Sequence, residues 1–178
     1  MTRMVALLRA VNVGGRKLPM AELRGLCAEM GWKQVSTYIQ SGNLLFSSAS
    51  KPLANETALE QAIEARFRLK VPVMVRTASV WSALRSANPF PAVARASPSR
   101  LMLILPKSPP AADAEAVLQA RATAGEQVKR AGDVIWIHFP EGAGRSKLTP
   151  SVIDRAIGSP ATARNYRTVA KLEELLAE

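Results

Sequence analysis

The chain is poor in the residues that most often carry chemistry. It has one cysteine, Cys27, and one histidine, His138, in 178 residues. A lone cysteine excludes an internal disulfide framework and a cysteine-rich zinc site together. A single histidine with no acidic cluster around it leaves metal catalysis without support. Aromatic residues make up 5% of the chain, and no stretch approaches the roughly 20 apolar residues that a membrane-spanning helix needs. A membrane partner is therefore not expected. The opening "MTRMVALLRAV" is apolar but short, contains Arg9, and runs into polar loop residues, so it reads as a strand and not as a leader. With so little cysteine, the expected compartment is the cytoplasm.

Acid is also scarce: 14 acidic residues stand against 24 basic ones, a formal net charge of +10. Such a field attracts phosphorylated metabolites, nucleic acid or anionic surfaces without choosing among them. The densest basic segment lies between residues 145 and 171, where Arg145, Lys147, Arg155, Arg164, Arg167 and Lys171 face one acid, Asp154. Hydrophobic residues make up 48% of the sequence, ample for a core.

Periodicity supplies the elements. Residues 4–11, "MVALLRAV", form an apolar run that suits a strand covered on both faces. Gly14-Gly15 ends it. Leu23, Leu26, Cys27 and Met30 recur at helical spacing between Pro19 and Gly31. "QVSTYIQSGNLLFSS" reads as a hairpin, 34–40 and 44–48, turning at Ser41-Gly42-Asn43. A helix over 56–68 and a β-branched strand over 71–77 complete a β-α-β-β-α-β order, that of a ferredoxin-like unit.

A second set follows. After a helix at 80–86 and a Pro-rich link at 88–100 come a strand at 101–105, a helix at 111–123 and a hairpin joined by Ala131-Gly132. A helix at 150–157, a short strand at 162–166 and a terminal helix at 169–177 close the chain. The predicted fold is α+β: two ferredoxin-like βαββαβ units with antiparallel sheets, plus a C-terminal helix. The predicted organisation is a first unit over 1–87, the link over 88–100, and a second unit over 101–178.

Three motifs invite an anion. Glycines tolerate positive φ and let successive backbone N–H groups form a nest for a negative group. Gly14 and Gly15 have that capacity, with Arg9, Asn12, Arg16 and Lys17 around them and a helix start just beyond. The competing reading is an ordinary turn with solvated charges. "TYIQSGNLLF" sets Tyr38, Gln40 and Asn43 about a tight turn, and period two puts Tyr38 and Gln40 on one strand face as a polar patch. "PEGAGRSKL" lacks the four-residue gap of a nucleotide-binding P-loop, so what remains is a loop in which Arg145, Ser146 and Lys147 are able to close on phosphate or carboxylate. "ARNYRTV" adds Arg164 and Asn165, the latter with no evident turn role. Cys27 on an apolar helix face and His138 alternating with Trp136 along a strand read as structural. No motif singles out a cofactor.

Taken together, "LLRAVNVGGRKLPMAELR", "VSTYIQSGNLLF", "PVMVRT", "NPF", "PEGAGRSKL" and "ARNYRTVAKLEEL" closely resemble the bacterial domain-of-unknown-function family 1697 over nearly the whole chain. The resemblance implies ferredoxin-like α+β parts and brings no activity with it. The family's closing motif resembles Arg-Asn-Trp, whereas this chain has Arg164-Asn165-Tyr166, which keeps an aromatic plane and adds a hydroxyl.

Three functions compete on these residues. The first is capture of a small phosphorylated or carboxylated ligand by the basic Gly/Asn loops of the two repeats. The second is nucleic-acid binding through the phosphate backbone, without base recognition, since the two central strands offer only Phe46 for stacking. The third is a structural or assembly role in which the basic loops are merely solvated. Whether any reaction is catalysed is left open by the sequence.

Overall fold

The computed structural model describes all 178 residues, which form two compact units. Unit 1 comprises Met1–Ser82 with Leu172–Glu178, and unit 2 comprises Ala83–Lys171. Each carries a four-stranded antiparallel sheet.

In unit 1 the strands are β1 (Thr2–Leu8), β2 (Lys33–Tyr38), β3 (Asn43–Ser48) and β4 (Val73–Thr77), in the order β2-β3-β1-β4. The helices α1 (Met20–Glu29) and α2 (Pro52–Phe67) connect them. Met4, Ala6 and Leu8 of β1 share a core with Leu44, Phe46, Val73 and Val75 and with Leu23, Cys27, Leu59 and Ile63 of the helices. Trp32 stacks on Phe46 there, ring centroids 3.9 Å apart. The alternate positions Val5, Leu7, Leu45 and Met74 are fully buried as well. Both faces of β1 are thus covered, which is why its sequence is continuously apolar instead of alternating. The strand stops at Leu8, short of the expected Val11, because Ala10 takes a left-handed φ of 53°.

Unit 2 repeats the plan. Its strands β5 (Leu101–Pro106), β6 (Gln127–Ala131), β7 (Val134–His138) and β8 (Ala161–Asn165) run in the order β6-β7-β5-β8, the same relative order as unit 1. The helices α5 (Ala114–Arg121) and α6 (Pro150–Ile157) pack Leu118, Ile153 and Ile157 against Ile104, Ile135 and Ile137. Two ferredoxin-like units are therefore present, as predicted. Along the chain from β4 to β5, α3 (Ala78–Ser86) and α4 (Pro91–Ala96) follow one another, so the segment 88–100 carries α4 and a 3-10 turn in addition to its prolines. The last helix, α7 (Tyr166–Leu176), starts earlier than its apolar spacing suggested.

The two units protect a sheet edge by the same device. Glu56 and Glu60, one turn apart on α2, accept the N–H groups of Val75 and Val73 on edge strand β4, both at 2.8 Å. In unit 2, Glu115 and Gln119 on α5 accept those of Arg130 and Val128 on edge strand β6, at 2.7 and 2.8 Å. Side-chain acceptors occupy donors that would otherwise template another strand. No helix is long and apolar enough to cross a membrane.

Candidate functional site

The loop after β1 is built from backbone turns tied by two polar side chains. Asn12, like Ala10, has positive φ, 56°. Val13 and Arg16 form a bridge, with the Arg16 N–H donating to Val13 O at 3.1 Å and the Asn12 N–H to Arg16 O at 2.7 Å. Gly14 and Gly15 sit between them at φ 56° and 79°. Two successive positive φ values are what a two-residue turn of this hand requires, which explains the glycine pair. The N–H groups of Gly14, Gly15 and Lys17 make no hydrogen bond within the protein.

Asn12 holds the loop in place. Its Nδ2 donates to Leu18 O (3.0 Å) and Gln40 O (2.7 Å), and its Oδ1 accepts the Leu18 N–H (2.9 Å). One carboxamide thereby joins the loop, the approach to α1 and the β2–β3 turn. Arg16 gives Nε to Ala10 O (3.1 Å) and Nη2 to Lys70 O (2.7 Å), leaving Nη1 as a donor. Asn12, Gly15, Arg16, Lys17, Pro19 and Gln40 line an open depression of about 480 Å³ with two cations and no carboxylate. Arg9 is half-buried outside this lining, with its N–H on Pro72 O at 3.0 Å.

The β2–β3 turn departs from expectation. Strand β2 ends at Tyr38, and residues 39–42 form the turn, so Gln40 does not share a strand face with Tyr38. Asn43 opens β3, fully buried, and its Nδ2 donates to Tyr38 O (3.0 Å) and Ser41 Oγ (3.1 Å). The turn bends earlier because Ile39 takes φ 53° and Gly42 φ 84°. Gly42 is pressed against the β1 end: a Cβ there would stand 2.7 Å from Val11 Cγ2 and 2.8 Å from Leu8 Cβ. This close approach brings Gln40 to Asn12.

In unit 2 the predicted residues separate by environment. Arg145 and Lys147 are exposed on the β7–α6 connection. Ser146 between them donates its hydroxyl to Glu126 Oε1 at 2.5 Å and accepts the Leu148 N–H at 3.0 Å. Burial pushes the Glu126 carboxyl up, but hydrogen bonds from Ser146 and the Ala124 N–H outweigh it and hold it below the usual carboxylate range. Arg164 is buried in β8, with Nη1 on Thr162 Oγ1 (2.7 Å) and Ala163 O (2.8 Å), and burial lowers its pKa to about 10. Asn165 has a turn role after all: its Oδ1 accepts the Thr168 N–H at 3.0 Å and caps α7. The cap starts the helix at Tyr166 and moves that residue off the strand.

A second basic cleft, also in unit 2, escaped the sequence reading. Arg85, Ser86, Asn88, Pro91, Ala94, Arg95 and Tyr166 line about 400 Å³, again with two cations and no carboxylate. The Arg85 guanidinium lies 5.7 Å from the Tyr166 ring centroid, and Trp136 packs 6.1 Å from the same ring. Arg85 and Arg95 close the last turns of α3 and α4, where bases are common for helix-end reasons alone.

Other candidates are inert. Burial pushes the Cys27 thiol up to about 12. Burial, and then the charge of Arg100, lower His138, whose ring lies 6.4 Å from Phe90. No group of three or more His, Cys, Asp or Glu side chains converges. Phe46 is fully buried against Trp32 and offers no face to a base.

The family described as "Protein of unknown function (DUF1697)" matches residues 1–136. The conserved bacterial protein SP0830 from Streptococcus pneumoniae has a similar structure, with a TM-score of 0.76 and 24% sequence identity over 98% of each chain. At that identity the likeness speaks for the fold. No curated protein matches the chain. The chain belongs to the DUF1697 family.

Proposed function

We propose that this member of the DUF1697 family binds a small phosphorylated or carboxylated ligand at the β1–α1 loop of unit 1. The observation that carries the reading is the set of unspent donors around one depression. The N–H groups of Gly14, Gly15 and Lys17 have no internal acceptor, Arg16 keeps Nη1, and Lys17 is exposed, while no carboxylate lines the site. A nest of amides beside two cations suits an oxyanion. Asn12 positions the loop and is not itself a donor to spare, since its carboxamide is already bonded on both sides. Tyr38 and Asn43 serve the same scaffold. Arg145 and Lys147 form a separate exposed basic pair in unit 2, and an unpaired Cys27 fits a cytoplasmic setting.

Calorimetric titration with inorganic phosphate and with citrate tests the reading. Wild-type protein is expected to bind one of them saturably, and Lys17→Ala to weaken it about tenfold at unchanged melting temperature, because Lys17 is exposed and makes no ion pair. Affinity untouched by both Lys17→Ala and Arg16→Gln would remove the site.

A further inference from the structure

We propose that the unit 2 cleft is a second and independent anion site, shaped for the phosphoryl group of a small phosphate monoester. It shares no residue with the unit 1 depression, so it stands or falls alone.

The argument begins with Arg85. A free arginine must lose rotamer freedom before it grips an anion, but this guanidinium already lies over the Tyr166 ring, 5.7 Å from its centroid, and is half-buried. Stacking fixes the plane of its donor fork in advance. Asn88 is oriented as well. Its Oδ1 accepts the Phe90 N–H at 2.9 Å, which leaves the NH₂ as its remaining hydrogen-bonding group. Arg95 supplies a second guanidinium from α4, and Ser86 and Tyr166 supply hydroxyls.

The lining therefore brings together two guanidinium groups, an amide donor and two hydroxyls, with no carboxylate among the lining residues. A carboxylate is planar and carries one charge. A phosphoryl group is tetrahedral, carries up to two charges, and takes donors from several directions at once, which matches donors arriving from α3, α4 and the start of α7. A volume of about 400 Å³ exceeds a bare phosphoryl group and falls in the range of small-metabolite sites. The Arg85 guanidinium already covers the Tyr166 ring, so the phosphoryl group, and not base stacking, is the recognised part.

The test is a titration of the full chain with glycerol 3-phosphate, followed by backbone amide NMR shifts, with lactate as the planar carboxylate control. Saturable shifts are expected at Ser86, Asn88, Arg95 and Tyr166 with glycerol 3-phosphate and not with lactate. Arg95→Gln, on an exposed residue, should weaken them about tenfold, and Arg85→Lys, which keeps charge but loses the planar fork, by a similar factor. Lys17→Ala should leave them unchanged. Absence of shifts at these residues up to about 10 mM ligand, or shifts that survive Arg95→Gln and Arg85→Lys together, would overturn the proposal. Shifts confined to residues 12–17 would refute it and leave the unit 1 reading standing. Shifts confined to the cleft would support it, and the unit 1 reading would still be decided by its own titration.

Discussion

Units 1 and 2 carry the same sheet order, and each guards an edge strand with two helix side chains one turn apart, Glu56 and Glu60 in one and Glu115 and Gln119 in the other, yet their connections differ. Between the first strand and first helix, unit 1 has residues 9–19, with four positive-φ positions at Ala10, Asn12, Gly14 and Gly15. Unit 2 spans the equivalent gap with 107–113, where no residue has positive φ. The hairpins differ too. Unit 2 turns at Gly132 and Asp133 with nothing within 4 Å of a Gly132 Cβ, whereas unit 1 presses Gly42 onto Leu8 and Val11. A duplicated scaffold with one simple and one elaborated copy locates where the sequence is spent on something besides folding.

The sharpest way to break this comparison is to put alanine at each hairpin glycine. Gly42→Ala should cost about 3 kcal/mol, since it combines a left-handed φ with overlap on Val11 and Leu8, and lower the melting temperature by about 10 °C. Gly132→Ala has only the φ penalty of about 1 kcal/mol and should cost a few degrees. Equal losses in thermal denaturation would mean that the unit 1 turn is not under the constraint described.

Between these two falls Asn12→Ala. It removes three hydrogen bonds at a partly exposed site and should cost about 2 kcal/mol. It should also release the Gln40 turn from the loop and weaken anion binding more than Lys17→Ala does, which calorimetry reads directly. Asp at this position keeps an acceptor for the Leu18 N–H but loses both donated bonds, so Asn12→Asp should behave like the alanine variant.

How much of this was legible follows from how local each cause is. The strands and helices were, because periods of two and 3.6 are written in neighbouring residues such as Leu23, Leu26 and Cys27. The Gly14-Gly15 turn was too, because φ preference belongs to the residue itself. The reach of Gly42 was not, since its constraint comes from Leu8 and Val11 across the sheet. Asn165 looked idle because its partner is the N–H of Thr168, whose place in a helix depends on that very cap. Arg85 falls at the end of the helix expected over 80–86 and Arg95 within the Pro-rich link, and nothing in the chain order announces that Tyr166 comes to lie beneath the first of them.

Acid should act on unit 2 through two groups. His138 is held below its ordinary value of about 6.5, so the unfolded chain binds the proton first, and stability falls as pH drops below that value towards the folded one. Glu126 is also held low, so its contribution is full above the ordinary carboxylate range and disappears as pH falls through the folded value. Urea midpoints measured from neutral to acidic pH should show the first slope vanish in His138→Gln and the second diminish in Ser146→Ala, which removes the hydroxyl from Glu126. A slope unchanged by both variants would separate the acid response from unit 2.

Unit 1 has the opposite dependence and the smallest expected signal. Cys27 is wholly buried with its pKa at about 12, so the folded state holds its proton more tightly than the unfolded state does. Its contribution is complete below the ordinary thiol value and is lost as pH rises towards 12. Burial keeps the thiol protonated at pH 8, and no reagent reaches the sulfur without the helix moving off the sheet. Labelling with a thiol-specific disulfide reagent should therefore be undetectable over minutes in native protein and complete in concentrated urea. Because the reagent sees only opened molecules, the slow native rate measures the opening of unit 1 alone. Gly42→Ala, which strains that unit, should raise the rate by about a hundredfold if its cost of about 3 kcal/mol falls on the opening that exposes Cys27. Rapid labelling of the unstrained wild-type chain at pH 8 would contradict the packing of α1, with Cys27, into the unit 1 core.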